Sequence, residues 1–123
     1  IEMKKRILVI EDDMDIIELV NMILTRAGYE VTACENGRDA LAAIKQIKPH
    51  LILLDLMLPG MDGKSIVAEM SKDEKINNTP VLILSALEAA EQMFIGQPQI
   101  KGFCFKPFSP NGLLEKVRKV LGD

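Results

Sequence analysis

The chain has 123 residues, 48% of them hydrophobic, and a formal net charge of −3. That length suits one compact unit with one core, residues 1–123, and leaves no room for a second domain. The acidic balance offers no surface for direct nucleic-acid binding, and Asp55 and Pro59 interrupt the best candidate for a membrane-length apolar run.

Lys4-Lys5-Arg6 reads as a solvated lead-in, and Arg6-Ile7-Leu8-Val9-Ile10 as a buried strand running into Glu11-Asp12-Asp13. Helical spacing follows: Ile16, Val20, Ile23, Leu24 and Ala27 share one face, and Gly28 ends the helix. Asp13 and Asp15 suit the positive end of that helix. Glu11 belongs to the strand and is not explained in this way. Glu30–Cys34 is a second strand. Asn36-Gly37-Arg38-Asp39 offers an N-cap with an acidic third position, and Ala40, Leu41, Ile44 and Ile47 form the next apolar stripe, stopped by Pro49.

The stretch from His50 to Gly63 organises the rest. Leu51-Ile52-Leu53-Leu54 is an unbroken apolar run, as expected of a strand covered on both faces, and it ends in Asp55. Pro59, Gly60 and Gly63 then force a loop. Asp62 can cap a third helix with Ile66, Val67 and Met70 inward, and Ser71–Thr79 is a polar connection. Pro80–Leu84 is a fourth strand delivering Ser85. Ala86–Ile95 is rich in helix formers, but Gly96 and Pro98 end it early. Gly102–Phe105 is a fifth strand ending at Lys106-Pro107. Ser109 caps a last helix with Pro110 at its first position and Leu113, Leu114, Val117, Val120 and Leu121 inward. Cys34 and Cys104 fall in strand-like runs and read as small core residues of a reducing, cytoplasmic compartment. His50 reads as a surface residue.

Five β-then-α units without internal repeat imply an α/β fold, with a parallel five-stranded sheet and helices on both faces. Five units favour the doubly wound, flavodoxin-like (βα)5 order 2-1-3-4-5, with ligands taken at the carboxyl ends of the strands. Those ends carry Glu11, Asp12, Asp55, Ser85 and Lys106. Two ionised carboxylates about 4 Å apart repel by roughly 4 kcal/mol at an effective dielectric of about 20. A hard divalent cation removes that cost, a lysine can hold a phosphate oxygen or pair with Asp55, and a serine hydroxyl can donate to another phosphate oxygen. The set suits a carboxylate nucleophile attacking phosphorus.

With Ile7-Leu8-Val9-Ile10-Glu11-Asp12-Asp13, Asp55 followed by Pro59 and Gly63, Ser85-Ala86 and Lys106-Pro107-Phe108 in view, the chain resembles the receiver domain of bacterial two-component response regulators over essentially its whole length. The resemblance implies that Asp55 is a phosphoacceptor, and that Glu11, Asp12, Asp55 and the Met57 carbonyl hold Mg²⁺ or Mn²⁺. It also implies that Ser85 and Lys106 bind the phosphoryl group, that Phe103 is the switch aromatic and that Lys106-Pro107 is cis. Met57 and Leu87 would flank the path of a hydrolytic water. The donor would be a sensor histidine kinase or a histidine phosphotransfer protein. The output would pass through the face of helix 4, strand 5 and helix 5, to a second copy or an effector. Such a chain is a signalling domain, not an enzyme, beyond self-catalysed transfer to Asp55 and hydrolysis from it. The run Met93-Phe94-Ile95-Gly96-Gln97-Pro98-Gln99-Ile100-Lys101 departs from the family pattern. It predicts a short fourth helix followed by irregular chain, with Met93, Phe94 and Ile95 either a partner patch or core.

Three other functions are weaker. A phosphatase of the haloacid dehalogenase type needs a second Asp where Met57 stands. A flavin module needs a donor-rich loop where Glu11-Asp12-Asp13 would repel phosphate. A pseudo-receiver acting only as an interaction module is disfavoured because all five site residue types are present.

Overall fold

In a computed structural model, residues 3–87 and 89–123 are described. Ile1 and Glu2 of the expected domain, and Glu88 of the expected fourth helix, lie outside the described residues. The elements alternate β1 (Arg6–Ile10), α1 (Met14–Arg26), β2 (Glu30–Cys34), α2 (Ala40–Ile47), β3 (Leu51–Asp55), α3 (Gly63–Ser71), β4 (Val81–Ser85), α4 (Ala90–Met93), β5 (Ile100–Phe105) and α5 (Pro110–Leu121). All strand pairs are parallel and the order is β2-β1-β3-β4-β5. The expected order and alternation are therefore both present.

Side chains alternate between the two faces of the sheet. Leu8, Ile10, Ile52, Leu54, Val81 and Ile83 pack with Ala40 and Ile44 of α2 and Ile66, Val67 and Met70 of α3. Ile7, Val9, Leu51, Leu53, Leu82 and Leu84 pack with Val20 and Leu24 of α1 and Leu113 and Val117 of α5. This is why β3 reads as an unbroken apolar run: Leu51, Ile52, Leu53 and Leu54 are all fully buried, between two helical layers. Full burial of each such side chain contributes about 1.5–3 kcal/mol. Cys34 and Cys104 are free thiols inside this core, and burial pushes the pKa of both upward.

The helix ends follow local chemistry. Asp13, Asp62 and Ser109 each accept a backbone N–H with the side chain, at Asp15, Ser65 and Gly112 respectively. Gly28 takes a positive φ of 98° just past α1.

Several expectations need correction. The Asn36 side chain does accept the Asp39 N–H at 2.9 Å, but α2 begins only at Ala40, so the bond closes a turn ahead of the helix. Lys4-Lys5-Arg6 is not simply solvated. Lys5 pairs with Asp123 at 2.6 Å and donates to the Leu121 carbonyl, while Arg6 opens β1 and donates to the Ile47 and Lys48 carbonyls. The fourth helix is one turn, Ala90–Met93, far less than Ala86–Ile95. Phe94 is core, packed with the α2–α3 layer, while Ile95 stands 82% exposed. β5 starts at Ile100, two residues before Gly102, with a register shift opposite Val81 and Leu82.

Candidate functional site

Register places the site before any side chain is considered. Ile10 pairs with Leu54, so Glu11 and Asp55 lie level on neighbouring strands. Glu11 is one residue past the end of β1, yet its N–H still donates to the Cys34 carbonyl at 3.0 Å. Asp55 pairs with Leu84, and Ser85 with Phe105, so Ser85 and Lys106 follow at the same edge. The Lys106 N–H donates to the Ser85 carbonyl at 2.8 Å, fixing the two ends to each other. The Lys106-Pro107 bond is cis.

Glu11 is fully buried, Asp55 is 6% exposed and Asp12 is exposed. One carboxylate oxygen from each lies within 4.8 Å of the other two. Glu11 Oε2 accepts the N–H groups of Asp12 at 3.0 Å and Asp13 at 3.3 Å. Asp55 Oδ1 accepts the Met57 N–H at 3.3 Å. Burial, the largest influence, raises the Glu11 pKa, and the adjoining Asp55 carboxyl raises it further against the opposing pull of Lys106.

The lysine corrects one reading. Lys106 Nζ lies 2.6 Å from Glu11 Oε1 and 3.6 Å from Asp55 Oδ1, so its nearer partner is Glu11, not Asp55. A buried carboxylate requires a cation or hydrogen bonds in compensation. The unbroken apolar run into Glu11 already implied its burial, and with it the need for a compensating partner.

Ser85 is 3% exposed, and its Oγ accepts the Leu87 N–H at 2.9 Å. Phe103 is half-buried. Its ring lies 6.2 Å from that of Phe105, nearly parallel, and 6.3 Å from that of Phe94, tilted by 44°. Met57 and Leu87 stand 72% and 46% exposed.

Three carboxylates face one ammonium, leaving an excess of negative charge. The donors are all oxygen, which fits a hard divalent cation of the Mg²⁺ kind and not a thiophilic metal. Among the described residues no helix is long and apolar enough to cross a membrane.

A family model described as the response regulator receiver domain matches residues 7–118. The DNA-binding response regulator MtrA of Mycolicibacterium paratuberculosis is 32% identical over 117 residues, covering 94% of this chain and 51% of MtrA. The chain thus spans about half the length of the curated relatives it matches. Among solved structures, a putative response regulator from Chloroflexus aurantiacus is similar with a TM-score of 0.88 at 27% identity, covering 98% of this chain and all of that one. The chemotaxis response regulator CheY4 of Vibrio cholerae gives a TM-score of 0.87 at 29% identity, covering 96% of this chain and 99% of its own.

Proposed function

We propose a function from one premise: this chain belongs to the response regulator receiver domain family. Residues 1–123 act as one phosphoacceptor unit of a two-component phosphorelay, and Asp55 is the acceptor. The observation that carries this is the Asp55 carboxylate at the end of β3, grouped with the Glu11 and Asp12 carboxylates and 3.6 Å from the Lys106 ammonium.

An Asp55 oxygen forms a bond to the phosphorus of a phosphohistidine on a sensor kinase or histidine phosphotransfer protein. The phosphorus–nitrogen bond breaks and the imidazole leaves with its electron pair. Glu11, Asp12, Asp55 and the Met57 carbonyl would hold Mg²⁺, or Mn²⁺. When bound, the cation supplies charge neutralisation for the transferring phosphoryl group. Lys106 turns from Glu11 to a phosphoryl oxygen, and the Ser85 hydroxyl, released from the Leu87 N–H, donates to another. Phe103 repacks with that movement, reshaping the surface from β4 through α4 to β5. Output passes through the α4–β5–α5 face to a second copy or an effector. MtrA is a DNA-binding response regulator; the acidic unit described here contacts no nucleic acid itself and works in the cytoplasm.

Incubation with acetyl phosphate and Mg²⁺ should add one phosphoryl mass to the wild type and none to Asp55→Asn. The same adduct on Asp55→Asn would overturn the assignment. A wild type that never takes a phosphoryl group would leave a partner-binding module.

A further inference from the structure

The loop after Asp55 is held from two sides. Between β3 and α3 it runs from Leu56 to Asp62, and its inner end is fixed where the Gly63 N–H donates to the Leu56 carbonyl at 3.0 Å. A Cβ on Gly63 would lie 2.8 Å from the Asp55 carbonyl, so α3 starts in direct contact with the acceptor's backbone. The outer part of the loop rests on a different connection, residues 35–39 between β2 and α2. There the buried Gly37 donates its N–H to the Pro59 carbonyl at 2.8 Å. A Cβ on Gly37 would sit 1.7 Å from the Met61 carbonyl oxygen and 2.6 Å from the Met61 nitrogen. Both obstacles are backbone, so no rotamer change relieves them. One residue on from Pro59, Gly60 sits at φ 89° with the Arg38 side chain where its Cβ would be. Two backbones therefore lie in contact along Gly37–Arg38 and Pro59–Met61.

We infer that Gly37 is a positioning residue for the phosphorylation site, acting through the 56–62 loop to set the Met57 backbone next to Asp55. The inference rests on the phosphoacceptor reading and deepens it. Real Cβ atoms essentially never approach closer than 3.0 Å, so Gly37→Ala must part the two loops by about 1 Å or more. The Met57 N–H bond to Asp55 Oδ1, at 3.3 Å, has little reserve against such a shift. A small hard cation tolerates geometric error poorly, and about 1 Å of misplacement costs on the order of 100-fold in a positioned reaction.

The test compares Gly37→Ala with Gly28→Ala. Gly28 has φ 98° and nothing within 4 Å of where its Cβ would stand, so alanine there strains a helix end far from the site without pushing on any loop. Both variants should lose thermal stability. Only Gly37→Ala should also weaken Mg²⁺ binding, read by calorimetry, by about tenfold or more, and slow acetyl phosphate labelling on the order of 100-fold. Equal Mg²⁺ affinity in wild type and Gly37→Ala would overturn the inference while leaving Asp55 as acceptor. If Gly37→Ala does not fold, amide exchange on the wild type decides. Mg²⁺ should slow exchange at Gly37, whose N–H is bound to the loop, and unchanged exchange there overturns the inference. A wild type with no Mg²⁺ response and no labelling overturns the phosphoacceptor reading, and this inference with it.

Discussion

Met57 lies two residues beyond Asp55 and Leu87 two beyond Ser85, and neither side chain can orient a water through a strong hydrogen bond. Both are large, apolar and exposed, so on the proposed phosphoacceptor reading they would cover an acyl phosphate at Asp55 without activating its hydrolysis. A Met57→Asn, Leu87→Glu double variant should therefore lose phosphate faster, by about tenfold, since each 1.4 kcal/mol of barrier is about tenfold in rate. Decay of the isolated phosphoprotein measures this; equal or slower loss in the variant would show that these side chains do not gate the water. At the opposite end of the sheet, Tyr29 is the single tyrosine of a chain without tryptophan, so its titration can be read directly by absorbance. Its hydroxyl donates to Asp123 Oδ2 at 2.7 Å, and burial first, then that carboxylate, push the phenol up to about 12. A raised pKa means that the folded state holds the proton more tightly. The associated stability is complete below the ordinary 10.0 and is lost as pH rises through about 12. Asp123→Asn should bring the phenol part of the way back toward 10.0, because burial remains. An unmoved phenolate titration would mean that the carboxylate plays no part.

Among the elements, α4 separates what local pattern encodes from what it does not. The central strands were legible because a strand covered on both faces has to be apolar up to the sheet edge, as Leu51–Leu54 of β3 and Val81–Leu84 of β4 are. Helix starts with an isolated cap, at Asp13, Asp62 and Ser109, were legible for a similarly local reason. Helix propensity over Ala86–Ile95 misled because two tertiary demands oppose it. The Ser85 hydroxyl captures the Leu87 N–H, and Phe94 has to reach the ring of Phe103 beneath. Gly96, at φ 86°, then turns the chain. The early start of β5 was hidden by Lys101, a charged residue in the bulge of an edge strand where one face meets solvent. The Lys106–Glu11 pair was missed at the site because sequence gives the level of a side chain on the sheet edge but not its reach. Phe94→Ala should cost about 3–5 kcal/mol in denaturant unfolding, the range for a buried aromatic, while Ile95→Ala should stay within about 0.5 kcal/mol. Similar small losses for both would return Phe94 to the surface, as part of a partner patch.

On the scale of the whole molecule, the same edge that gathers the carboxylates of the proposed site works against the fold. Glu11, Asp12 and Asp55 converge on one ammonium, so the metal-free domain carries repulsion that a bound cation removes. At about ten times its Kd, Mg²⁺ should add about 1.4 kcal/mol, or about 5 °C in Tm for a domain of this size. Asp12→Ala should raise the Tm of the metal-free protein and lose most of that response; an undiminished Mg²⁺ shift in the variant would remove Asp12 from the metal's ligands. The pH dependence has a definite sign. The folded-state pKa of Glu11 lies above its ordinary 4.5, chiefly through burial, so between those values the native state binds more protons than the unfolded chain. Stability from this group is present at the acid end and lost as pH rises through the raised value. Other carboxylates titrate in the same range, which makes the raw stability curve ambiguous. Glu11→Gln resolves it, because glutamine stands in for the protonated acid at every pH. The stability of the metal-free wild type minus that of Glu11→Gln should fall as pH rises from the ordinary 4.5 through the raised value. A difference that is flat, or that grows with pH, would mean that the Lys106 ion pair outweighs burial and holds Glu11 ionised without a metal.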